Sequence, residues 1–214
     1  MKLKDIDFYF VTDSTLTRKN VIDDVKSALR AGVKIIQYRE KEKSTREMFL
    51  EAARIGELCR GKAIFLVNDR VDIAIAADAD GVHLGQDDMP YEQARQLLGK
   101  DRIIGITAHN VKEAAAAEKQ GADYLGASPI FETKTKKDAG RQAGLQLLRN
   151  LRKTVRIPVV AIGGITLENV VYVMEAGADS AAAISAVLTK DNVTGECRKF
   201  VGIISEFKRL HTLR

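Results

Sequence analysis

The residues of this chain best suited to chemistry fall at the ends of short apolar runs. Gln37-Tyr38-Arg39-Glu40-Lys41 closes one such run, and in an extended segment the period of two turns Gln37, Arg39 and Lys41 to one side. An amide and two cations that converge suit a diphosphate, because Arg binds phosphate oxygens bidentately and Lys adds a point charge. On its own the stretch fits a solvated charged loop better.

Two further runs end in carboxylates, one with Asn68-Asp69-Arg70 and the next with His83-Leu84-Gly85-Gln86-Asp87-Asp88. Mg²⁺ is commonly held by one or two carboxylates together with substrate phosphate oxygens, which makes Asp69 and Asp88 a candidate metal pair. Each Asp equally fits a helix cap or a turn, and Asp87 competes with Asp88 for the role. Gly105-Ile106-Thr107-Ala108-His109 brings a hydroxyl and an imidazole to another such end. His109 has the chemistry of an acid or base, although His-Asn after a strand more commonly opens a helix. The segment Thr133-Lys134-Thr135-Lys136-Lys137 is rich in hydroxyl and ammonium groups, as is a loop that closes over anionic substrate, and as is a plain surface loop. Ala161-Ile162-Gly163-Gly164-Ile165 and Ile184-Ser185-Ala186 follow the last two runs. Glycine there lets backbone N–H groups approach a phosphate closely, the alternative being simple tight turns.

Residues scattered over this length of chain need a scaffold that brings the ends of many runs together. The apolar, β-rich runs start at Phe8, Lys34, Ala63, Gly81, Arg102, Asp123, Pro158 and Ser180, and segments of helical period separate them. Such alternation predicts a parallel sheet with helical crossovers. The runs are apolar almost throughout, as suits strands covered by helices outside and packed inside. Several helical segments end in a small-residue joint that restarts a strand: Ala31-Gly32-Val33, Ala79-Asp80-Gly81, Gly121-Ala122-Asp123 and Gly177-Ala178-Asp179. Glycine after a helix adopts the left-handed conformation that stops it. Eight βα units in 214 residues predict an α/β fold, a single (β/α)₈ TIM barrel spanning residues 1–214, at the small end of its size range. An open doubly wound sheet is the rival, but the residues after Phe10 contain no Gly-x-Gly-x-x-Gly. In a barrel, the C-terminal strand ends form the active-site face, which is where all the residues above fall.

Composition narrows the partners. The chain carries a formal charge of +5 with 29% charged residues, both signs interspersed, which favours small anionic ligands over nucleic acid. Cys59 and Cys197 lie far apart without zinc-site spacing, so reduced thiols in a cytoplasmic protein are expected. No run approaches the roughly 20 apolar residues of a membrane span, and no export signal is visible. Homo-oligomerisation is left open.

Taken in order, QYREK, VNDR, HLGQDD, GITAH, TKTK, AIGGI and AIS resemble the successive motifs of the thiamine-phosphate synthase family, from about Phe10 to about Ala186. The resemblance implies a TIM-barrel enzyme that condenses hydroxymethylpyrimidine diphosphate with a thiazole phosphate, uses Mg²⁺ and releases diphosphate. By motif, the QYREK stretch (Gln37, Tyr38, Arg39, Glu40, Lys41) and Asn68 would meet the pyrimidine diphosphate, and Asp69 and Asp88 would hold Mg²⁺. Thr107 and Lys136 would face the diphosphate, with Lys136, Arg39 and Thr107 as the catalytic set. Thr133, Lys134 and Thr135, with Gly164, Ile184 and Ser185, would hold the thiazole phosphate. Two positions depart from the family pattern: Thr107 replaces a usual serine, and Ser128 replaces a usual glycine before the threonine-rich loop.

A thiazole tautomerase of the related barrels would share the cradle but not need the diphosphate and metal set. An isomerase or epimerase barrel would want a clear proton-transferring pair. A non-catalytic sensor of thiamine intermediates would have little use for two metal carboxylates. Lys136→Ala separates catalysis from folding: turnover is expected to fall on the order of a hundredfold, while thermal unfolding shifts by no more than about 0.5 kcal/mol, as for a surface residue. Collapse of the unfolding midpoint would remove Lys136 from an exposed loop.

Overall fold

A computed structural model describes residue 3, residues 6–133 and residues 142–212. Eight parallel strands close on themselves in sequence order, β1 pairing with both β2 and β8. They are β1 Phe8–Val11, β2 Ile35–Tyr38, β3 Ile64–Asn68, β4 Gly81–Leu84, β5 Ile103–Ala108, β6 Tyr124–Ala127, β7 Val159–Ile162 and β8 Ser180–Ala183. Each begins inside a run read from the sequence, β5 extending one residue beyond its run, and the (β/α)₈ barrel is the observed fold. Among the described residues the helices are α1 Val21–Arg30, α2 Thr45–Cys59, α3 Val71–Ala76, α4 Tyr91–Leu98, α5 Val111–Gln120, α6 Gly144–Thr154, α7 Val170–Glu175, α8 Ser185–Leu188 and α9 Val193–Thr212. None of them is long and apolar enough to cross a membrane.

Local chemistry sets the helix starts. Asn20 and Asn110 accept from the backbone N–H three residues on, opening α1 and α5. Ser44 and Glu47 form a reciprocal capping box that opens α2. The joints at Gly32, Gly121 and Gly177 have φ of 87°, 103° and 103°, as the sequence predicts. The fourth joint differs: its left-handed residue is Asp78, with φ of 49°. Gly81 in that joint serves a different need, since a Cβ there would stand 1.9 Å from the Ile103 carbonyl oxygen.

Three of these joints carry an Asp that the strand and helix pattern does not explain. Asp80, Asp123 and Asp179 each donate their N–H to a carbonyl of the preceding strand, at Phe65, Ile104 and Val159, at distances of 2.8–2.9 Å. Each carboxylate then accepts from the N–H of the same strand residue, at 2.7–2.8 Å. The N–H groups that begin β3, β5 and β7 are thereby satisfied at the base of the barrel. Arg95 of α4 and Arg152 of α6 pair with Asp123 and Asp179 at 2.8 and 2.5 Å, tying the helical layer to the same clamps.

Inside, large and small side chains alternate across neighbouring strands. Gly105 lies in register with Tyr124, and Thr107 with Gly126. A Cβ on Gly105 would sit 2.1 Å from the Tyr124 ring, and one on Gly126 would sit 2.8 Å from the His83 ring. These glycines make room for buried rings in a closely packed interior. Gly105→Ala is therefore expected to cost about 1–3 kcal/mol by overpacking, lowering the thermal midpoint by roughly 2–4 °C for each kcal/mol. An unchanged melting curve would mean that Tyr124 is not packed against β5.

Candidate active site

The C-terminal strand ends enclose two adjoining cavities. One is lined by Arg39, Lys41, Asn68, Asp69, Asp88 and Thr107 among others; the second is lined by Gly163, Gly164, Ile184, Ser185 and Thr133. Ser128 lines both, so the polar cleft and the glycine cradle meet at one residue.

Of the QYREK stretch, Arg39 and Lys41 reach the cleft. Gln37 lies lower in the barrel, its Nε2 donating to the Tyr9 hydroxyl at 2.8 Å. Tyr38 and Glu40 turn to the opposite side of β2. The Tyr38 hydroxyl donates to Glu51 of α2 at 2.8 Å, and Glu40 Oε1 accepts from Ser14 and from the backbone N–H of Lys41 and Glu42. Glu40 therefore shapes the turn that aims Lys41, while Tyr38 anchors the strand to its helix.

Both cations already have carboxylate partners. Arg39 forms a buried ion pair with Asp13, at the end of β1. Thr12 stitches the same strand ends together, its Oγ1 accepting from Arg39 N and donating to Arg39 O. The Arg39 Nε is buried with no partner among the described residues. A buried donor left without an acceptor is costly. Lys41 Nζ approaches Asp69 Oδ2 at 2.5 Å.

Asp69 occupies the middle of a three-residue turn closed by Arg70 N donating to Asn68 O at 2.7 Å, with φ of 62°. A non-glycine residue held in that region carries strain of about 1–3 kcal/mol. Asp69 faces Asp88, and the structure thus separates Asp88 from Asp87: Asp88 is half-buried and accepts from Gly85 N at 2.6 Å, while Asp87 is exposed. Burial, followed by the hydrogen bond shared with Asp69, pushes the Asp88 carboxyl up to about 6. Two facing carboxylates that favour a shared proton also suit a divalent cation in its place. No group of three or more His, Cys, Asp and Glu residues able to hold a metal occurs among the described residues. A cation at the pair would thus take its remaining ligands from water or phosphate, as Mg²⁺ commonly does.

The cradle requires its glycines. Gly163 and Gly164 have φ of 104° and 63°, and a Cβ on Gly164 would stand 2.5 Å from Glu132 O. The backbone after β7 consequently packs directly on the loop after β6. Lys134, Thr135 and Lys136 lie outside the described residues.

Sequence reasoning assigned no contact to four residues of this site. Asp13 holds Arg39, and its only signal was a carboxylate directly after β1. Gln86 fastens β4 to β5 through Thr107 O, at 2.5 Å. Ser128 joins the cavities, and its carbonyl holds His109 Nδ1 at 2.6 Å. His83, buried in β4, touches Thr107 at 2.9 Å; an inward position on an otherwise apolar strand was its signal.

The family model described as thiamine monophosphate synthase matches residues 8–187. The thiamine-phosphate synthase of Methanosarcina mazei is 58% identical over 96% of this chain and 86% of its own length. That of Methanosarcina barkeri is 54% identical over 97% and 94%. A solved structure, the thiamine phosphate pyrophosphorylase from Pyrococcus furiosus, superposes with a TM-score of 0.89 at 41% identity, covering 96% of this chain and 99% of that one. With the barrel and its paired cavities, these matches place the chain in the thiamine-phosphate synthase family.

Proposed function

We propose that the chain joins 4-amino-2-methyl-5-(diphosphooxymethyl)pyrimidine to 4-methyl-5-(2-phosphoethyl)thiazole, carboxylated or not, giving thiamine phosphate and diphosphate, with CO₂ as a further product of the carboxylated substrate and Mg²⁺ as cofactor. The observation that carries this reading is the junction at Ser128 of two unlike cavities. One is lined by the Arg39 guanidinium and a facing carboxylate pair, and the other is a glycine-lined cradle. A diphosphate and a monophosphate are matched to the two, and the bond to be made lies between them.

Ionisation of the pyrimidine methylene is favoured because the aminopyrimidine ring delocalises the cation, so diphosphate departs before the thiazole nitrogen attacks. Arg39 and Lys41 receive charge developing on the departing oxygens, with Asn68 and Thr107 as neutral hydrogen-bonding partners and Lys136 as the closing cation. Each 1.36 kcal/mol of preferential stabilisation is worth about tenfold in rate. Asp69 and Asp88 would hold Mg²⁺, which when bound neutralises phosphate oxygens and makes diphosphate a better leaving group. Thr133, Thr135, Gly164, Ile184 and Ser185 hold the thiazole phosphate and present the ring nitrogen. No strong general base is required, in keeping with a cleft whose carboxylates face each other and the cations.

Diphosphate release by purified protein is expected only with both substrates and Mg²⁺ present, with thiamine phosphate as the product; no release under any condition would overturn the reading. Asp88→Asn is expected to lower turnover roughly tenfold to a hundredfold and to raise the Mg²⁺ concentration needed. Its thermal midpoint should not fall, because the change relieves the facing charges and the amide oxygen still accepts from Gly85 N.

A further inference from the structure

Beneath the cleft a row of polar side chains crosses the barrel. Gln37 Nε2 donates to the Tyr9 hydroxyl at 2.8 Å, and Tyr9 meets the Tyr124 hydroxyl at 2.7 Å. Tyr124 meets His83 Nδ1 at 2.8 Å, and His83 Nε2 meets Thr107 Oγ1 at 2.9 Å. The row spans five strands, β2, β1, β6, β4 and β5, and its last member lines the cleft. All five residues are buried.

The direction of the protons along this row follows from counting them. Gln37 Nε2 can only donate, so Tyr9 accepts there, and each phenol carries one proton. Burial pushes both phenols well above their ordinary value, which keeps those protons in place. Among the described residues the Tyr9 hydroxyl meets Gln37 and Tyr124 and nothing else. If His83 carried a proton on Nδ1, Tyr124 would accept it and pass its own proton to Tyr9. The Tyr9 proton would then be buried without an acceptor, at a cost comparable to that of any unsatisfied buried donor. A doubly protonated imidazole meets the same objection. The order without an orphan runs Gln37 to Tyr9 to Tyr124 to His83 Nδ1, leaving the imidazole proton on Nε2.

We infer that His83 is a positioning residue: the row fixes its Nε2–H tautomer, which occupies an acceptor site of Thr107 Oγ1 and commits the Thr107 proton to donation into the cleft. Resting on the proposed synthesis, this makes Thr107 a preset donor to the departing diphosphate. The opposite tautomer would draw the Thr107 proton down to His83 and present bare oxygen lone pairs to an anion. A hydroxyl can point either way at little cost in water, and a buried row removes that choice before substrate arrives.

The tautomer can be read directly in the ligand-free protein labelled with ¹⁵N-histidine, by long-range ¹H–¹⁵N correlation, with His83→Gln used to assign the signal. A protonated Nε2 with a bare Nδ1 is expected. A protonated Nδ1, alone or with Nε2, would overturn the inference. Tyr124→Phe removes the donor to Nδ1 and should lower kcat for diphosphate release roughly threefold to tenfold, the worth of one hydrogen bond. In a Thr107→Val background the same change should have no effect on kcat, because the hydroxyl it orients is gone. Equal losses in both backgrounds would reduce the row to packing and sink the idea. Should Tyr124→Phe fail to fold, Tyr9→Phe interrupts the row one step further from Thr107 and is read in the same two backgrounds. His83→Gln, whose amide can still donate toward Thr107, should retain more activity than His83→Leu. Absence of turnover in the unaltered protein would sink the proposed synthesis, while the tautomer would still decide the row.

Discussion

A parallel strand sends alternate side chains into the barrel, and that alternation governs everything at the mouth of this molecule. Two residues along a strand is one step up the barrel axis on the same side. Gln37 below therefore means Arg39 above, Gly105 below means Thr107 above, and Tyr124 below means Gly126 and then Ser128 above. The polar layer near the middle and the cleft over it are successive storeys of the same strands. Glycine at 105 and 126 supplies the space in which Tyr124 and His83 can lie across the interior. Removing either would shift not only a ring but the storey resting on it.

Charge in the cleft is arranged with the same economy. Arg39 is paired with Asp13, Lys41 with Asp69, and Asp69 again with Asp88. In the absence of substrate each cation has a carboxylate beside it, which avoids isolated buried charge. Anionic substrate entering with a divalent cation would reorganise these pairs rather than create charge in an empty space.

How far this could be read from sequence differed by physical scale. Strand positions and barrel closure were legible because apolar runs and glycine joints are local signals, and six of the seven ordered motifs fall at strand ends, most of TKTK lying outside the described residues. Asp69 and Asp88 were legible as carboxylates at neighbouring ends, but the choice of Asp88 over Asp87 needed the loop that folds Asp88 back onto Gly85 N. Gln37 was expected beside Arg39 and Lys41 at the mouth, and it stands one storey lower because it precedes Arg39 by two residues on the same side of the chain. Tyr38 and Glu40 share a motif with the cleft residues yet face α2 and the turn. The partners of Asp13 and His83 lie on other strands, tens of residues away, and a single sequence carries no trace of such pairings.

The clamps at the opposite end of the barrel repeat with a stride of two strands. Asp80 joins β4 to β3, Asp123 joins β6 to β5, and Asp179 joins β8 to β7. The equivalent place before β2 is Lys34, which offers no carboxylate. The base is thus assembled from quarter-barrels, three of them closed by the same chemical latch and the first without that latch. The opening quarter is held by different chemistry, Ser180 Oγ donating to Asp7 O and Lys208 Nζ donating to Ile6 O at the foot of β1.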